Sequence, residues 1–143
     1  MKGTNRLFTL LKKKAPHCPD VAIYLPSLSC ADIKLAQNAA QYLKSNYTEE
    51  VKLNDLTKLM ATNRNRLSRV FKSYYGATVF NWLRELRMQR AAELLCSTDN
   101  SIQEIAFSVG YSDSNNFSTA FKRCFQTSPI QFRKQAVVSS RVQ

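Results

Sequence analysis

The segment N-R-N-R-L-S-R-V-F-K-S-Y-Y, residues 63–75, sorts its side chains onto two faces at helical spacing. Leu67, Val70, Phe71 and Tyr74 recur at the period of one apolar helix face. Arg64, Asn65, Ser68, Arg69 and Lys72 fall opposite. Asn63 is placed to cap the start, because its side-chain oxygen can accept a free backbone N–H of the first turn. Arg can pair bidentately with guanine and Asn with adenine, while Lys suits a phosphate. The segment therefore predicts a recognition helix for the major groove of DNA. Basic amphipathic helices are common, so a second occurrence carries weight.

A second occurrence exists. A shift of 50 residues lays Leu67 on Phe117, Ser68 on Ser118, Phe71 on Phe121, Lys72 on Lys122 and Tyr75 on Phe125. The same shift lays Asn63 on Asp113, so both caps align. The preceding stretches align at a shift of 49, Leu56 with Ile105 and Ala61 with Gly110, which makes the second turn one residue longer. The outward positions stay polar in both copies, which favours two reading heads over a merely duplicated core. The first offers Arg64, Arg66 and Arg69. The second offers Ser114, Asn115, Asn116, Ser118 and Thr119 with Lys122. Electrostatic affinity is expected mainly from the first, and adenine-type, water-mediated or backbone contacts from the second.

Around these segments the chain reads as helices and turns. Residues 31–47 predict a helix capped by Asp32, with Ile33, Ala36, Ala39, Ala40, Leu43 and Tyr47 as its stripe. Residues 53–60 predict a second, with Leu53, Leu56, Leu59 and Met60 inward, and Ala61-Thr62-Asn63 as the turn of a helix-turn-helix. Gly76 suits a left-handed helix end. Residues 78–96 predict a connector, apolar over much of its circumference and spanning roughly 27 Å. Its Arg84, Arg87 and Arg90 form either a solvated, ion-paired face or a phosphate contact. Ser101 to Glu104 is a capping box, Asp113 caps the next helix, and Ser128-Pro129 starts another. The resulting organisation is an all-α chain of seven helices. Residues 1–30 read as a linker or extension, in which V-A-I-Y-L at 21–25 is either a short strand or a docked extended segment. Residues 31–77 and 97–136 form two helix-turn-helix subdomains joined by the connector, and residues 137–143 a frayed tail.

Composition bounds the partner. The 143 residues hold 21 Lys and Arg against 10 Asp and Glu, a formal charge of +11. That balance favours a polyanion, nucleic acid before an anionic membrane surface. Neither a signal-peptide core nor a membrane-spanning run is visible, so a cytoplasmic location is the default. Cys18, Cys30, Cys96 and Cys124 contain no close ligand pair, and His17 is the sole histidine. No metal site, cofactor or catalytic residue is expected. Cys96 and Cys124 are expected reduced and partly buried.

At residue level the chain resembles the AraC/XylS transcription regulators. The likeness rests on residues 53–76, on R-M-Q-R-A-A-E-L-L at 87–95, on S-I-Q-E-I-A-F-S-V-G-Y-S-D-S-N-N-F-S-T-A-F-K at 101–122 and on S-P-I-Q-F-R at 128–133. It implies two helix-turn-helix units, promoter binding and, usually, activation with RNA polymerase as partner. It places base reading on Arg64, Asn65, Ser68 and Arg69, and on Ser114, Asn115, Ser118 and Thr119. Backbone contacts are expected from Arg66, Lys72, Asn116, Lys122 and Arg87. Lys52, Ala61 and Gln126 depart from the family pattern, which has Ser or Thr, Gly and Gly there. Y-L-P-S-L-S-C-A-D at 24–32 resembles the lead-in of the siderophore-responsive subgroup. Family members usually carry an effector or dimerisation domain, so the chain is expected to be a stand-alone regulator, monomeric on DNA, or a C-terminal fragment of a dimer. The competing readings are a low-specificity DNA-bending protein, a DNA-repair enzyme, which the cysteine spacing disfavours, and a protein-interaction module.

Overall fold

The computed structural model of the chain describes residues 28–141. Among them, seven α-helices follow in order: α1 Cys30–Asn46, α2 Leu53–Leu59, α3 Arg64–Tyr75, α4 Val79–Ser97, α5 Ile102–Ser108, α6 Ser114–Phe125 and α7 Pro129–Arg141. The expected all-α, seven-helix architecture is the one observed. The segment at 21–25, read as a short strand or a docked extended stretch, the basic run at 12–14 and the His17–Cys18 pair lie outside the described residues. The described helices fall into two compact units that divide after Arg84, inside α4.

In the first unit α1 packs along α3. Ala36, Ala39, Ala40 and Leu43 of α1 and Leu67, Val70 and Phe71 of α3 are all buried. The small alanines let the two backbones approach closely, and burying each large apolar side chain contributes about 1.5–3 kcal/mol. Tyr74 closes this core, and its hydroxyl accepts the Gln37 Nε2 donor at 3.1 Å. The first turn of α4 completes it with Trp82, whose ring stands edge-on to Phe71 at 5.8 Å and tilted to Tyr75 at 5.5 Å. The Trp82 indole N–H is buried without a hydrogen-bond partner. That costs about 1–3 kcal/mol, less than the roughly 4–6 kcal/mol gained by burying an indole of about 200 Å².

In the second unit the core is aromatic. Phe121 contacts Phe117, Phe125 and Phe132 at ring separations of 5.8, 4.6 and 5.3 Å. Arg133 of α7 then reaches two backbone carbonyls, donating from Nε to Leu95 at 3.3 Å and from Nη2 to Asn100 at 2.6 Å. This ties α7 to the end of α4 and to the loop that opens α5.

Several local expectations are corrected. Ser29, not Asp32, caps α1, while Asp32 sits at the third helical position and completes a reciprocal capping box. Leu35, absent from the expected stripe, is buried, and Ile33 is only half-buried. On the short α2 only Leu56 and Thr57 are buried, and Leu59 is 59% exposed. Seven residues make two turns, and a helix that short has a narrow buried stripe. On α4, Phe80 is exposed, while Met88 and Ala92 fill the core. Cys96 is exposed rather than partly buried, whereas Cys124 is half-buried as expected. α7 runs on through residues 137–141, where a frayed tail was expected. The exposed Val137 and Val138 do not need a core, because the helix is already held by Phe132 and Arg133.

Candidate nucleic-acid interface

Each unit presents one helix through the same local frame. In the first, Met60 N–H donates to Leu56 O, Ala61 N–H to Lys58 O and Thr62 N–H to Thr57 O. In the second, Val109, Gly110 and Tyr111 repeat those bonds to Ile105, Phe107 and Ala106. Both turns pass through the left-handed region, at Ala61 with φ 50° and at Gly110 with φ 89°. The recognition helices are then capped by side chains. Asn63 Oδ1 accepts Arg66 N–H at 2.9 Å. Asp113 Oδ1 accepts the N–H groups of Asn115 and Asn116 at 2.6 and 3.0 Å. Both helices end in a left-handed residue, Gly76 at φ 71° and Gln126 at φ 61°, whose N–H returns to Lys72 O and Lys122 O. Gln126 thus takes the conformation without being glycine. Lys52, where the family has Ser or Thr, provides no side-chain cap.

These frames set what each helix offers. On α3, Arg64, Asn65, Ser68, Arg69 and Lys72 are all exposed, on the side away from Leu67, Val70 and Phe71. Three cations and two hydrogen-bonding side chains on one helix face can contact base edges and phosphates together. On α6, Asn115, Asn116, Thr119 and Lys122 are exposed, but Ser114 and Ser118 are half-buried. The second face is therefore smaller and less charged than the first. Arg123, exposed in the last turn of α6, adds a cation that the helical pattern did not single out.

Two expected backbone contacts are engaged within the protein. Arg66 reaches back to α1, donating from Nη2 at 2.9 Å and Nε at 3.2 Å to Asp32 Oδ1. This bond, joined by those from Ser29, holds the Asp32 carboxyl below its ordinary pKa. Arg87 is half-buried with its guanidinium carbon 5.9 Å from the centre of the Tyr111 ring. Desolvation lowers its pKa from the ordinary guanidinium value. Of the other connector arginines, Arg90 pairs with Glu93 at 3.0 Å and Arg84 donates to Asn81 at 3.2 Å. The sequence reading missed Asp32 as a partner of α3, since 34 residues separate it from Arg66 and no local spacing links them.

Among the described residues, no group of three His, Cys, Asp or Glu side chains could hold a metal ion, and no helix is long and apolar enough to cross a membrane.

This arrangement is shared with known proteins. The family described as a helix-turn-helix domain matches residues 56–135. The chain belongs to this family, in its AraC type. It is 40% identical over 94 residues to the HTH-type transcriptional activator RhaS of Yersinia pestis, a match covering 66% of this chain and 34% of that protein. The chain thus spans about a third of the length of the curated relatives it matches. Among solved structures, the C-terminal domain of AraT, a response regulator from Geobacillus stearothermophilus, is 35% identical with a TM-score of 0.69. That likeness covers 76% of this chain and 87% of that one. A transcriptional regulator with an AraC-type DNA-binding domain from Chromobacterium violaceum is 28% identical with a TM-score of 0.69, covering 76% and 96% of the two chains.

Proposed function

We propose that the chain is a sequence-specific, double-stranded DNA-binding transcription activator that inserts α3 and α6 into successive major-groove segments of a promoter. The observation that carries this reading is the repeated frame: two helix-turn-helix turns with the same hydrogen bonds, each presenting a capped helix whose outer face is polar. Arg64, Asn65, Ser68 and Arg69 read bases from α3, with Lys72 on the phosphates. Ser114, Asn115, Ser118 and Thr119 face the second segment, with Asn116 and Lys122 on the backbone. The charge of +11 adds sequence-independent attraction and a steep salt dependence. The protein carries out no reaction of its own. It acts in the bacterial cytoplasm, at the nucleoid, by recruiting RNA polymerase. It binds as a monomer through its two heads, or as a dimer where the chain belongs to a longer protein.

Selection of bound duplexes from a random library tests this, with affinity for the winner compared with scrambled DNA at near-physiological salt. Two boxes about one helical turn apart, roughly 34 Å, are expected. The winner should bind at least about a thousandfold more tightly than scrambled DNA. A single box would confine base reading to α3 and leave α6 to position the protein, a role that its half-buried Ser114 and Ser118 would suit. No enrichment would refute sequence-specific binding and favour a DNA-bending protein.

A further inference from the structure

The ion pair between Asp32 and Arg66 links the start of α1 to the first turn of α3. Both anchors are fixed. One Asp32 oxygen accepts the Ser29 N–H at 3.3 Å and the other takes both Arg66 donors, while Ser29 Oγ accepts the Asp32 N–H at 3.1 Å. The Asp32 side chain is 13% exposed and that of Arg66 44%. Of the ion pairs Lys52–Glu50, Arg90–Glu93 and Arg66–Asp32, the first two are local and only the last joins two helices. The position on α6 that matches Arg66 holds Asn116, which carries no charge.

We propose that Asp32 is a positioning residue for the first reading helix: it withdraws Arg66 from the DNA backbone and uses it as a strut that sets the angle and register of α3. The inference rests on the DNA-binding reading above. A cation already neutralised by a carboxylate releases little counterion on binding, so Arg66 adds little to non-specific affinity. A recognition helix contacts base edges through its N-terminal residues, and Arg66 stands in the same turn as Arg64 and Asn65. The strut therefore exchanges non-specific affinity for discrimination.

Two variants of the full chain separate this role from simple folding damage. Asp32→Asn keeps the side-chain shape and an oxygen for the capping box but cancels the charge. Arg66→Gln removes the strut and leaves the box untouched. Each is titrated against a scrambled duplex and the selected duplex between about 50 and 200 mM salt. Trp82 fluorescence confirms that the first unit remains folded. With Asp32→Asn, the freed Arg66 should steepen the non-specific salt slope by about 0.9 and tighten non-specific binding by about threefold to fivefold at near-physiological salt. The ratio of specific to non-specific affinity should fall by about tenfold or more. With Arg66→Gln, the ratio should fall similarly while the non-specific slope stays at the wild-type value.

A slope shallower by about 0.9 in Arg66→Gln would place Arg66 on a phosphate in the wild-type protein and overturn the proposal. So would an unchanged affinity ratio in both variants, or non-specific binding that weakens in Asp32→Asn. Wild-type protein with no sequence preference would refute the promoter reading instead, and the slope of Arg66→Gln would still decide what Arg66 contacts. Absence of all DNA binding would overturn both.

Discussion

Gly76 and Gln126 stand 50 residues apart at the same point of the repeat, and both close a recognition helix in the left-handed region, at φ 71° and 61°. Exchanging their side chains measures what that conformation costs. An L-residue there is strained by about 1–2 kcal/mol. Glycine escapes that strain but loses about 0.4–1 kcal/mol more entropy on folding. Gln126 also donates from Nε2 to Arg123 O at 3.1 Å, an exposed bond at the weak end of the usual range, about 0.5 kcal/mol. These terms sum to between about −0.5 and +1 kcal/mol, so Gln126→Gly should leave the second unit close to its wild-type stability or raise its melting temperature by at most about 4–8 °C. At Gly76 an added Cβ meets no heavy atom within 4 Å, so the backbone strain stands alone. Gly76→Ala should destabilise the first unit by about 1 kcal/mol. Trp82, the chain's single tryptophan, packs against Phe71 and Tyr75 and reports melting of the first unit. Amide hydrogen exchange in α6 and α7 reports the second. A loss of more than about 0.5 kcal/mol in Gln126→Gly, or a Gly76→Ala that stabilises the first unit, would refute the claim that backbone strain decides these positions.

Other outcomes follow from the two faces and the caps. Arg69→Ala should cost about 1–3 kcal/mol and relax preference at one base pair, read by competition among single-substituted sites; equal weakening on all sequences would remove it from the base-reading set. Lys72→Ala should weaken binding evenly and flatten the salt slope by about 0.9, and a changed sequence preference would contradict the phosphate role. The Asp32 carboxyl is lowered first by its bond from Arg66, and that of Glu104 by the Ser101 N–H. A carboxylate with a depressed folded-state pKa contributes stability above its unfolded value and loses it as pH falls through the folded one. Melting temperature should therefore hold from neutral pH down toward the ordinary values of 4.5 for Glu104 and 3.8 for Asp32, and fall below them. Asp32→Asn should reduce that acid-side loss; the same loss in the variant would show that the pair contributes nothing to it.

Most of the frame was legible because it is local. A 3.6-residue period places Leu67, Val70 and Phe71 on one face whatever they pack against. Asn63, Ser101 and Asp113 cap helices through bonds spanning two or three residues. The duplication was equally visible, because the same constraints act at the same spacing, and the repeated turn bonds match it residue for residue. The misplacements share a cause. Asp32 suits a cap by its type, Ser29 three residues earlier suits it as well, and only the backbone decides which accepts the bond. Leu59 and Phe80 are apolar by type but lie outside the positions that α2 and α4 bury. An apolar residue at the margin of a stripe carries no mark of its own exposure.

The sequence by itself determined the class of fold, the two turn-and-helix frames and the polar faces they present, since each depends on neighbours within a few residues. Tertiary structure alone decided which arginines find partners inside the protein. Arg66 goes to a carboxylate 34 residues away and Arg87 to the ring of Tyr111, while Arg64 and Arg69 remain exposed. A guanidinium binds a carboxylate, an aromatic face or a phosphate through the same donors and charge, so residue type leaves the choice open. Folding settles it by bringing one partner within reach before any DNA arrives.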